Sequence, residues 1–101
     1  MKGCTFIGAA STGHICYPAT NLVGSSKNIF VNLSLAGRVG DLFAPHSCTG
    51  SDPPPPHLIR AISQGPLNVY FNMRPPGRAG DLISCGDTIA VGSLNVFAGK
   101  F

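Results

Sequence analysis

The stretch Asn28-Ile29-Phe30-Val31-Asn32, followed by Leu35-Ala36-Gly37-Arg38-Val39-Gly40-Asp41-Leu42, returns forty positions later. There it reads Asn68-Val69-Tyr70-Phe71-Asn72, then Pro75-Pro76-Gly77-Arg78-Ala79-Gly80-Asp81-Leu82. A third, shortened copy, Gly92-Ser93-Leu94-Asn95-Val96-Phe97, lies near the C-terminus. A repeated unit this small cannot bury its own apolar face and packs on its neighbours. The repeat therefore predicts a pseudo-symmetric body with function on an axis, at a tip or at a base.

Working outward, each unit carries a strand signal. Ile29-Phe30-Val31 and Val69-Tyr70-Phe71 are β-branched and aromatic runs flanked by Asn. Ile89-Ala90-Val91 and Asn95-Val96-Phe97 flank Gly92-Ser93-Leu94, which is hairpin spacing. Leu58-Ile59-Arg60-Ala61-Ile62 before Gln64-Gly65-Pro66 reads as the first arm of another hairpin, with Asn21-Leu22-Val23 before Gly24-Ser25-Ser26 as its counterpart. Thirteen Gly, nine Pro and no sustained 3.6-residue period make the fold class all-β. Arg38 with Asp41, and Arg78 with Asp81, read as ion pairs that fix the Gly-Arg-x-Gly-Asp turns, whose glycines bracket positions of positive φ. Pro53–Pro56 predicts a stiff, extended strap.

The 101 residues make one domain, 1–101, with a small core. Only 11% of residues are charged and 44% are hydrophobic, so much of the surface is expected to lie against an assembly or a partner. The net charge is +3, but the seven Lys and Arg are scattered singly, which argues against nucleic acid as a partner. The first dozen residues lack an apolar secretory core, and no run approaches a membrane span. Synthesis in the cytosol is expected, with the four Cys free or metal-bound rather than paired.

The metal-ligating residues follow the glycines. His14 and Cys16 stand six and eight residues after Gly8, and His46 and Cys48 stand six and eight after Gly40. Cys85 stands five after Gly80, and His57 follows the Pro run. This alignment adds a degenerate N-terminal copy and makes the expected symmetry threefold. Three loops converging at one end can present His and Cys to one ion, and zinc takes four such donors tetrahedrally. The expected ligands are His14, His46, His57 and Cys85, with Cys16 and Cys48 as substitutes. Iron suits the same donors. Cys4 lies outside the pattern and reads as a small buried residue.

The turns Gly37-Arg38-Val39-Gly40-Asp41 and Gly77-Arg78-Ala79-Gly80-Asp81, with Cys85-Gly86 and Gly92-Ser93-Leu94-Asn95-Val96-Phe97-Ala98-Gly99, resemble the PAAR-repeat family over essentially the whole chain. The name-giving Pro-Ala-Ala-Arg stands here as Leu35-Ala36-Gly37-Arg38 and Pro75-Pro76-Gly77-Arg78. The resemblance implies a small cone of β-hairpins with pseudo-threefold symmetry, whose vertex is sharpened by a zinc ion on three His and one Cys. That set carries over as His14, His46, His57 and Cys85.

It also implies a non-enzymatic tip. One copy would cap the trimeric β-helical spike of a contractile injection machine, in a phage tail or a type VI secretion system, and touch the target membrane transiently. The end at Phe101 reads as a bare tip without an attached toxin. Docking is expected through strands bearing Asn28, Phe30, Asn32, Asn68, Tyr70, Asn72, Asn95 and Phe97, whose free edges would continue the spike's β-helix. The competing readings are a small zinc hydrolase and a zinc-bearing binding module. The hydrolase would need a general base, for which Asp52 and Asp87 remain once the turns absorb Asp41 and Asp81. The binding module, as a nucleic-acid binder, lacks Cys-x-x-Cys pairs.

Overall fold

A computed structural model describes residues 2–50 and 52–99, which form an elongated body of 43 × 25 × 21 Å. Among the described residues there is no helix, and all pairing is antiparallel. Four short strands are defined: β1 (Phe30–Val31), β2 (Ser34–Leu35), β3 (Leu42–Phe43) and β4 (Arg60–Ala61).

β1 and β2 form a tight hairpin, with Phe30 opposite Leu35 and Val31 opposite Ser34. Its turn residues Asn32 and Leu33 have φ of 49° and 72°. Two successive positive φ angles match the right-handed twist of the arms, and Asn tolerates the first position well. The second copy repeats this: Phe71 pairs with Arg74 across Asn72 and Met73, at 55° and 71°. The third copy departs from it. Ile89 pairs with Ser11, and Phe97 pairs with Gly3, so Ile89–Val91 and Asn95–Phe97 are not arms of one hairpin. Ser93 instead folds the intervening turn locally, its hydroxyl accepting from the Asn95 and Val96 N–H groups.

The expected hairpin at Leu58–Ile62 is also replaced. β4 pairs backward with β3, Leu42 opposite Ala61 and Phe43 opposite Arg60, so the Pro-rich excursion lies inside the connection. Further pairings run from Leu22 to Phe43, Ile62 to Ile83, Leu82 to Thr88, Ile89 to Ser11 and Ala10 to Asn21. Followed in order, they return to their starting segment. Such a closed circuit leaves no free sheet edge along its length. Leu22, Phe43, Ile62, Ile83 and Ile89 form its buried core, with Val39 and Cys85 against it. A second core gathers Cys4, Val31, Ala36 and Ala98, flanked by Phe6, Ile29, Val69, Phe71 and Val96.

One turn is built three times. Gly8, Gly40 and Gly80 have φ of 90°, 93° and 89°. The residue after each donates its N–H three residues back, Ala9 to Phe6, Asp41 to Arg38 and Asp81 to Arg78. In two of these turns the expected ion pair forms, with Arg38 Nε 3.3 Å from Asp41 and Arg78 Nε 2.8 Å from Asp81. In the first, Phe6 and Ala9 occupy the Arg and Asp places, so this copy is legible from the Gly8 spacing and not from the Arg–Asp motif.

Gly37 and Gly77 do not have positive φ; they are glycines for lack of room. A Cβ on Gly77 would lie 2.8 Å from Ile62 Cδ1, and one on Gly37 would lie 2.6 Å from Leu22 Cδ2. Gly77→Ala is therefore expected to cost about 1–3 kcal/mol by overpacking, measurable as a lowered denaturation midpoint with an unchanged slope.

Candidate metal centre

Local turns deliver each expected ligand. His14 and Tyr17 exchange backbone hydrogen bonds, closing a turn over Ile15 and Cys16. Ile15 sits at φ 52° and is 97% exposed, an uncommon backbone for a β-branched residue. His46 and His57 face each other across an antiparallel pair, His57 N–H to His46 O at 2.9 Å, so the two imidazoles stand at the base of the Pro-rich loop. Cys85 is at the tip of a turn closed by Ile83 N–H to Asp87 O (2.8 Å), which Gly86 makes possible at φ 97°.

These elements bring together His14, His46, His57 and Cys85, each offering one ligand atom, all within 4.8 Å of one another. His46 is central. Its Nε2 lies 3.3 Å from His14 Nε2, 2.9 Å from His57 Nδ1 and 4.0 Å from Cys85 Sγ. Four donors around zinc, at bond lengths of about 2.0–2.3 Å, stand roughly 3.3–3.6 Å apart. The cluster is close to that spacing, and its three nitrogens and one sulfur suit zinc or iron. This set could therefore hold a metal ion.

Surrounding groups orient the rings. His46 Nδ1 donates to Pro18 O at 2.9 Å, because a carbonyl can only accept, and this leaves Nε2 free to coordinate. Burial pushes the His46 imidazole below its ordinary pKa, against the Pro18 hydrogen bond, and the Arg60 charge adds to the lowering. The neutral form is the one a metal takes. Tyr17, which the sequence reading passed over, is buried and stacks on His57 at 3.9 Å between ring centroids; its hydroxyl donates to Pro55 O at 2.7 Å. It pins the proline strap over the rings. The Tyr one residue after the first His-x-Cys was the available signal.

The cysteine expectation needs correcting. Cys16 and Cys48 form a disulfide with Cα atoms 5.2 Å apart, so they are neither free nor substitute ligands. Compartment alone had argued for free thiols. Geometry overrides it here, since each cysteine lies two residues beyond a ligand histidine and the histidines converge. The bond ties the His14 and His46 loops together across 32 residues. Replacing both cysteines by serine should cost the oxidised protein about 3–4 kcal/mol by loop-closure entropy, readable by urea titration. Cys4 is fully buried, and burial pushes its thiol up despite the nearby Arg78 charge.

The two spare carboxylates sit in different settings. Asp52 is exposed at φ 57°. Asp87 is fully enclosed and paired with Arg60 at 2.7 Å. Burial alone would raise the Asp87 carboxyl, but hydrogen bonds from Thr12, the Thr88 N–H, Ser11 and the Gly13 N–H hold it below its ordinary value.

The eight expected docking residues are all exposed, while the apolar residues alternating with them are buried or half-buried: Phe30 is 60% exposed and Val31 1%. Their asparagines join separate copies. Asn32 Nδ2 donates to Asn95 Oδ1 and Asn72 Nδ2 to Asn28 Oδ1, both at 2.7 Å.

A family model for the PAAR motif matches residues 12–91. The chain belongs to the PAAR motif family. It is also 34% identical over 77 residues to double-stranded DNA deaminase toxin A of Burkholderia cenocepacia strain H111. The match covers 76% of this chain and 5% of that protein, so the two share a small module within a much longer polypeptide.

Proposed function

We propose that the chain is the metal-clamped tip of the central spike of a contractile injection machine, of the phage-tail or type VI secretion kind. The observation that carries this reading is the convergence of three histidines and one cysteine, from separate loops, within 4.8 Å in a PAAR-family chain. Four protein donors fill a tetrahedral ion and leave no position for a reacting water, so the ion's role is structural. When bound, zinc would join the three loops at one rigid point, held by His14, His46, His57 and Cys85. The tip itself performs no chemistry. It concentrates force, and its short turns, strap and clamp resist fraying.

We infer a pseudo-threefold arrangement from the three turns at Gly8, Gly40 and Gly80, which share one backbone geometry. One chain would then match the end of a trimeric β-helix. The docking face would be formed by Asn28, Phe30, Asn32, Asn68, Tyr70, Asn72, Asn95 and Phe97, next to the exposed turn residues Leu33, Met73 and Leu94.

Native mass spectrometry of the chain mixed with a trimeric β-helical spike from the same genome tests this. One chain per trimer is expected. Self-trimerisation without spike binding would contradict it.

A further inference from the structure

Beneath the ligand cluster lies a guanidinium that neither the motif nor the ligand set accounts for. Arg60 has no solvent exposure, and all five of its N–H groups are directed at acceptors. Nε donates to Cys85 Sγ at 3.3 Å. Nη1 donates to Thr20 Oγ1 and to Ala44 O at 2.8 Å. Nη2 donates to Ser11 Oγ at 3.1 Å and to Asp87 Oδ2 at 2.7 Å. Its Cζ also lies 5.6 Å from the Phe43 ring centroid.

These acceptors come from every loop that carries a ligand. Ser11 and Thr20 flank the His14 turn, Ala44 precedes His46, and Cys85 and Asp87 share the third turn. Arg60 itself follows His57 by three residues. A buried cation is costly unless paired and fully hydrogen-bonded. Here Asp87 balances its charge through Nη2, and Nε is aimed at the sulfur.

We propose that Arg60 is a positioning residue for the metal centre. It sets the three ligand loops in register from below and, through Nε–H···Sγ, supports Cys85 as the anionic thiolate ligand. This rests on the metal-centre reading above. A hydrogen bond to a ligating sulfur withdraws electron density from it and lowers its donor orbital. Loss of that bond should move the sulfur-to-metal charge-transfer band to lower energy.

The full chain loaded with cobalt(II) tests this by absorption spectroscopy, comparing native protein with Arg60→Lys. Lysine keeps the charge but cannot supply the planar fork. The variant should show a red-shifted sulfur-to-cobalt band and about 10–100-fold weaker cobalt binding. An unshifted band with affinity within twofold of native would overturn the proposal. Should the variant not fold, the native chain loaded with an NMR-active cadmium isotope decides. The Arg60 Nε–H is then expected to show scalar coupling to cadmium through Cys85 Sγ. Sulfur-ligated cadmium without that coupling would overturn the proposal and leave the metal centre standing. A native chain that takes up neither metal would remove the centre and this inference together.

Discussion

Replacing His46 by alanine should empty the metal site and lower thermal stability more than any other single ligand change. His46 is the most enclosed of the four candidate ligands and the one whose ring nitrogen faces all three others. Its second nitrogen donates to Pro18 O, which fixes the orientation of the ring toward the other three. Losing a hydrogen-bonded outer partner of a metal ligand costs about 10–100-fold in affinity, and losing the ligand itself should cost more. Structural zinc contributes on the order of 10–16 kcal/mol of apparent binding energy in small peptides, so even a part of that would dominate a domain with cores this thin. The check is a thermal melt with and without chelator. Native protein should lose stability on chelation, whereas His46→Ala should start low and respond little. The Cys16–Cys48 disulfide should keep part of the fold intact in both cases, because it ties the same loops without metal.

Asp81→Ala should be the most damaging change away from the metal. Asp81 has no solvent exposure and receives Arg78 in a fork, Nε at 2.8 Å and Nη2 at 3.0 Å, with Lys2 at 3.3 Å. The alanine would remove the Asp81 carboxylate from this buried pair, and breaking a buried ion pair typically costs about 3–5 kcal/mol. In a domain of this size that corresponds to a fall in Tm of more than about 10 °C. Asp41→Ala is the internal control. Its partner Arg38 is partly exposed and farther away, at 3.3 Å, so water can take over some of the pairing and the loss should be smaller. Equal losses at the two sites would argue against burial as the source of the effect.

Much of this molecule was legible in the sequence, because its turns and ligands are specified locally. Gly8, Gly40 and Gly80 mark the same positive-φ turn, and counting forward from each finds a ligand turn. The Arg–Asp pairs at 38/41 and 78/81 lie three residues apart within one turn and need no tertiary information. The strand partners were not legible in the same way. Leu58–Ile62 has the composition of a hairpin arm, but Arg60–Ala61 finds Leu42–Phe43 across the proline excursion, because closing the circuit satisfies both edges. Asn95–Phe97 has the spelling of a hairpin copy, yet it pairs with the N-terminal segment at Gly3. Tertiary closure decides such choices, and short β-prone runs carry little preference of their own.

The features missed around the candidate site share one physical origin. Arg60, Asp87, Tyr17 and the Cys16–Cys48 bond all depend on groups that meet only after the loops converge. A lone Arg in a strand-like run reads as surface, and cysteines 32 residues apart carry no pairing signal. The convergence of the expected ligands, inferred from spacing, was the clue to Arg60, Asp87 and the disulfide, and the clue to Tyr17 was its place beside the first His-x-Cys. The buried Arg60–Asp87 pair under the cluster and the stacked Tyr17 beside it form the support that holds four small side chains at metal-binding distance.

On this reading a metal ion joins these loops into one rigid tip. Elemental analysis of the purified full chain, after exhaustive dialysis against metal-free buffer, tests it most directly. About one ion per chain is expected, zinc or iron, with thermal stability falling once a strong chelator removes it. A chain that carries no metal, takes none up on titration and melts unchanged with chelator would rule out a metal-clamped tip.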